Sequence, residues 1–172
     1  MKQVRLYDMI FPIWLIVFFP PIIFISLAAN YIIDSLVVIG CFYIYRISSK
    51  QEVSPVTFYK KSIIKVWLLG FLADIIGASI LFVIGILGDS IGIPNDVSAG
   101  ICFDPFRNPA TFVIITFAML VSGLFIFLFN YNIIFKKQIE EKKLRLKMAL
   151  TIAIITIPWT FLLPTKWLYP GS

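Results

Sequence analysis

The residue best placed to do unusual chemistry is Asp74, a carboxylate inside the apolar run KVWLLGFLADIIGASILFVIGILG, residues 65–88. Gly70, Asp74, Gly77, Leu81, Gly85 and Gly88 recur along it at intervals of three or four residues. On a helix that spacing draws a single face, made almost entirely of glycine and one acid. Glycine lets a second backbone approach closely, so Gly70, Gly77, Gly85 and Gly88 mark a helix-packing face rather than a lipid-facing one. Asp74 falls about 14 Å along the helix from Lys65, close to mid-membrane. Insertion scales charge roughly 2.5–3.5 kcal/mol for an acid at that depth, so Asp74 is expected to face protein or water.

Its partners at similar depth are expected to be Ser122 and Asn130 on a later apolar run, Thr156 on the last one, and carbonyls freed by Pro20 and Pro21. No basic residue of the chain lies at that depth. Three roles stay open for Asp74. It can be a neutral hydrogen-bond donor that ties helices together, a proton or cation site in a transport path, or the partner of a basic residue on another subunit.

Other chemistry has little to stand on. Histidine is absent, which removes the commonest general base and metal ligand together. Cys41 and Cys102 are far apart in sequence and form no CxxC, so neither a redox centre nor a zinc site is indicated. No nucleophile elbow or phosphate-binding glycine loop is present. The reading is therefore of no catalytic residues, no cofactor and no metal site. Asp89, Asp96 and Asp104 beside Arg107, with Asn30 and Asp34, could form a cation-binding lip, but acids of this kind more often solvate a loop. Their spacing is not that of an EF-hand.

The elements that must position these residues are membrane helices. The 172 residues are 60% hydrophobic and 14% charged, with several apolar runs near the length that spans a bilayer. This predicts an all-α polytopic integral membrane protein with one helical domain over 1–172. About five spans are expected, at 9–29, 31–47, 63–88, 109–135 and 148–165. The first two come from a single long apolar run, divided by a tight outer turn near Asn30. Pro20 and Pro21 are expected to kink the first, and the fifth to kink at Pro158. A signal peptide is disfavoured because the two prolines interrupt the apolar stretch and a second apolar run follows directly.

Cytoplasmic loops are expected at 48–62 and 136–147, and an irregular outer loop at 89–108. Ser54 with Pro55, and Asn108 with Pro109, read as helix starts, so the third helix should begin near Pro55. Thirteen of the 15 Lys and Arg fall at the N-terminus or around the two inner loops, leaving Arg107 and Lys166 for the outer side. That asymmetry sets the N-terminus in the cytoplasm and the C-terminus outside; if residues 9–45 cross only once, the N-terminus moves outside while both larger basic loops stay in the cytoplasm. It also accounts for the net charge of +6 without nucleic acid as a partner.

The sequence thus predicts a small multi-pass protein of the plasma membrane, bacterial by its charge bias. The expected partners are the lipid bilayer and other membrane subunits or further copies of the chain. An accessory, assembly or immunity-type subunit acting through helix contacts is the first reading, and no enzyme is expected. The alternative is a small transporter or channel using Asp74 as an intramembrane proton or cation site.

Overall fold

The computed structural model describes residues 22–164, and every ordered element within them is helical. In chain order these are α1 (Ile22–Ile44), α2 (Ile47–Gln51), α3 (Pro55–Leu87), a 3-10 turn (Asp89–Ile91), α4 (Asn95–Phe103) and α5 (Pro109–Phe129). A π-helical turn (Asn130–Ile134), α6 (Lys142–Thr156) and a final 3-10 turn (Trp159–Leu162) follow. Among the described residues four stretches are long and apolar enough to cross a membrane: Phe24–Ile44, Pro55–Gly85, Pro109–Ile134 and Lys142–Leu162. Their outward faces carry Leu36, Val83, Val113, Phe117 and Ile154, each at least half exposed. Such faces need lipid, and the chain is an all-α polytopic membrane protein.

Two expected helix starts are present. Ser54 Oγ accepts a bond from the Thr57 amide at 3.3 Å, and Asn108 Oδ1 accepts one from the Thr111 amide at 2.8 Å. Each satisfies a donor that the first turn leaves orphaned, and the proline that follows has no amide hydrogen to satisfy.

Three expectations are corrected. The turn near Asn30 is absent, because α1 runs unbroken from Ile22 to Ile44. A single Asn costs a helix little, and once Pro20 and Pro21 are passed nothing stops it. The proposed kink at those prolines, with most of the 9–29 span, lies outside the described residues. The outer connection is not wholly irregular, since α4 occupies Asn95–Phe103. The last helix is ended rather than bent by Pro158. Ile157, the residue before it, is extended at φ −54 and ψ 143, as the proline ring demands.

The chain divides into two compact units, one built on Phe24–Gly77 and Met119–Pro158, the other on Ala78–Ala118 and the described residues from Trp159. In the first, Val38, Phe42, Phe58, Phe135, Met148 and Ile152 belong to one buried cluster. Phe58 stacks on Phe135 with ring centroids 5.9 Å apart, and Phe42 meets Phe58 at 5.2 Å. Polar ties hold the helices at fixed register: Trp67 Nε1 donates to the Leu27 carbonyl at 2.9 Å, Ser35 Oγ meets Tyr59 Oη at 2.9 Å, and Tyr45 Oη meets Thr151 Oγ1 at 2.6 Å. Arg46, at φ 51, takes the left-handed conformation that stops α1 and is normally left to glycine.

In the second unit α4 is tied to the start of α5. Gly100 lies against Thr111, whose hydroxyl donates to the Val97 carbonyl at 3.4 Å. A Cβ at Gly100 would fall 2.9 Å from Thr111 Cγ2 and 3.1 Å from its Cβ. Overpacking of that kind costs about 1–3 kcal/mol, against ~1 kcal/mol gained in helix propensity. Gly100→Ala is therefore expected to be destabilising by on the order of 1 kcal/mol net, read as a lower unfolding midpoint in detergent.

Candidate functional site

Asp74 sits on α3 within the first unit and accepts a hydrogen bond from Ser122 Oγ of α5 at 3.0 Å. Ser122 is fully buried, so this bond is made away from solvent. Thr111 and Ala118 share its burial, which gives α5 a small and polar stripe.

Of the other expected partners, the carbonyls freed by Pro20 and Pro21 lie outside the described residues, and the two side chains do not reach Asp74. The Asn130 amide donates to the Ile126 carbonyl of its own helix at 2.8 Å, and its buried Oδ1 has no hydrogen-bond partner. Thr156 Oγ1 likewise donates to its own Ile152 carbonyl at 2.9 Å. Both are residues that bond back along their helices when no better acceptor is at hand. Asp74 is bonded across the interface by Ser122 alone of the three.

A residue assigned only to the outer lip takes their place. Asp34, in the middle of α1, is 6% exposed and interacts electrostatically with Asp74. Its Oδ2 lies 3.8 Å from the position a Cβ would occupy on Gly70, one turn before Asp74 on α3. Gly70 thus faces α1, while Asp74 one turn further on bonds to α5. The chain provides no hydrogen-bond donor to the Asp34 carboxylate among the described residues.

The sequence carried one signal for this pairing. Asp34 is the only acid inside the first long apolar run, as Asp74 is inside the third helix. Placing a turn at Asn30 hid it, because that put Asp34 at the membrane surface instead of mid-helix.

The rest of the expected packing face is mixed. Gly77 is buried and Gly85 half-buried on α3. Gly88 leaves the helix, which ends at Leu87, and makes the turn into the outer connection. A side chain there would meet Ser98 Oγ at 2.5 Å and the Ile84 carbonyl at 2.7 Å.

Two of the outer acids are bonded to neighbouring residues of the outer connection. Asp96, in the first turn of α4, accepts a bond from Asn108 Nδ2 at 2.8 Å and an ion pair from Arg107. Asp104 Oδ1 accepts the Phe106 amide at 3.1 Å and closes a local turn. Among the described residues no group of three or more His, Cys, Asp or Glu is placed to hold a metal ion. Cys41 and Cys102 form no disulfide.

The Asn108 amide, and then Arg107, hold the Asp96 carboxyl below its ordinary value of 3.8. A depressed folded value means the contribution to stability is present above the unfolded value and lost as pH falls through the folded one. Asp96→Asn is therefore expected to lower the melting point slightly at neutral pH, with the gap to wild type closing in acid. The effect is small because the group is exposed and screened.

No family model matches the chain, and no curated protein or solved structure matches it either.

Proposed function

We propose that this protein is a small membrane transporter or channel that takes up and releases a proton or small cation at the Asp34–Asp74 pair. The carrying observation is that Asp34 lies against Gly70, one helical turn before Asp74, and that the two acids have one hydroxyl and, among the described residues, no basic side chain beside them. Two carboxylates at close range in a low-dielectric interior repel unless something positive is shared between them. A proton or a cation is the smallest such partner, and intramembrane acids commonly mark its path. Gly70 keeps α3 free of a side chain beside Asp34, which leaves room for the shared ion.

In this reading the basic ends of the helices face the cytoplasm, so across the four described spans α1 begins on the outer side and the last span ends there. The positive-inside bias favours a bacterial plasma membrane. The test is flux: purified protein in liposomes should dissipate an imposed proton or monovalent-cation gradient. A hydrophobic carbodiimide, which modifies protonated carboxyls in apolar surroundings, should block that flux and label Asp34 or Asp74. No flux with either gradient removes the transport reading.

The second reading is an accessory or assembly subunit, in which the missing positive charge is a Lys or Arg of another membrane subunit or a further copy of the chain. The observation favouring it is the outer face of α1. Ala29, Ile33 and Leu36 are exposed there, and a Cβ at Gly40 would meet nothing within 4 Å. Such a notch admits another helix closely. Affinity purification from native membrane decides it: a partner that is lost from Asp74→Asn, with no flux from the protein alone, would replace the first reading.

A further inference from the structure

The basic end of the first unit holds an open cleft of about 300 Å³ that the acid pair does not explain. It is lined by Ile44, Tyr45 and Arg46 at the end of α1 and by Glu141, Lys143, Leu144 and Lys147 at the start of α6. Two candidate spans terminate at this level, Phe24–Ile44 and Lys142–Leu162, so the cleft opens at the edge of the apolar layer.

Its walls divide by chemistry. Ile44 and Leu144 give an apolar wall, and Tyr45 is held in place by its hydrogen bond to Thr151. Arg46, Lys143 and Lys147 give a cationic rim against one acid, Glu141. None of the three cations has an ion pair or side-chain hydrogen bond among the described residues. Lys143 and Lys147 stand four apart on α6, a spacing at which like charges on a helix destabilise each other. Arg46 is fixed at the rim in a left-handed backbone conformation that few side chains adopt. An anion placed between them would relieve all three.

We propose that this cleft binds the phosphate of an anionic phospholipid, with Arg46, Lys143 and Lys147 on the phosphate and the glycerol and upper acyl chain against Ile44 and Leu144. A phosphate group satisfies the cations whether it comes from a lipid or from solution. The apolar wall and the position at the membrane edge favour the lipid, as for basic pockets between membrane helices generally.

The experiment is native mass spectrometry of the detergent-solubilised protein titrated with phosphatidylglycerol, with phosphatidylcholine and inorganic phosphate as separate arms. One tightly retained phosphatidylglycerol per chain is expected, with phosphatidylcholine and inorganic phosphate each retained far more weakly. R46Q/K143Q/K147Q should weaken phosphatidylglycerol retention on the order of a hundredfold, from about 1 kcal/mol per basic residue. K143R/K147R, which keeps the charge, should retain it. K60Q/K61Q/K65Q removes as much charge from exposed positions on α3 and should lose only a few-fold. Equal loss from the two glutamine triples would show diffuse attraction and overturn the site. Inorganic phosphate binding as well as the lipid would overturn the lipid assignment.

Discussion

Asp74→Asn is expected to reduce ion flux through the reconstituted protein to the background of empty liposomes. Asparagine has nearly the size of aspartate, and its carbonyl can still accept the bond that Ser122 Oγ now donates at 3.0 Å. The fold should therefore survive while the group loses its ability to hold a charge or exchange a proton. Asp34→Asn is expected to give the same loss, because the proposed site is the pair and not either acid alone. Ser122→Ala should be milder. Hydrogen bonds between membrane helices average about 0.6 kcal/mol in double-mutant cycles, which corresponds to a few-fold change. Wild-type flux from both asparagine variants would sink the transport proposal. The result that distinguishes the assembly reading is the opposite split: an unchanged protein in isolation that no longer co-purifies with its membrane partner.

The second large effect is expected at Gly70, and it depends on side-chain size. A methyl group there would sit 3.8 Å from Asp34 Oδ2, ordinary van der Waals contact. Gly70→Ala is thus expected to fold and to keep its flux, with α3 gaining up to ~1 kcal/mol in helix propensity. Gly70→Leu adds three further carbons in the direction of Asp34. The expected cost is about 1–3 kcal/mol of overpacking, together with loss of flux as Asp34 is pushed from Asp74. Thermal unfolding and liposome flux, measured on both variants, check the two halves separately. If leucine is accepted without loss of either, Gly70 is not the spacer described above.

The sequence was most legible where one residue type settles the local geometry. Ser54 before Pro55 and Asn108 before Pro109 each marked a helix start, because a side-chain acceptor followed by a residue without an amide hydrogen fits few other places. Asp74 was legible as a protein-facing acid because lipid excludes it. Ser122 was legible as its partner because it stands on a buried small-residue stripe. Hydropathy was a poorer guide to where a helix stops. The run around Asn30 is apolar on both sides, and nothing in a transfer energy says whether one polar side chain turns the chain or rides along it. Asn130 and Thr156 had the right depth, but depth does not fix the direction in which a side chain points. Each found an acceptor on its own helix, and that alternative is always available to such residues.

The π-helical turn at Asn130–Ile134, closed by the Phe135 amide on the Asn130 carbonyl at 3.0 Å, amounts to one extra residue threaded into a helix. Each residue advances an α-helix by about 100°. The insertion therefore works as a phase correction, setting the angle at which the chain leaves α5. With it, Ile134 and Phe135 turn inward against the core while Lys136 and Lys137 turn out. The wide turn takes up about that angle, so winding the same residues as plain α-helix would swing everything after them by it. Phe135 would leave its stack on Phe58 and a lysine would be aimed at the core. The π turn thus sets which residues beyond α5 meet the core and which turn away from it.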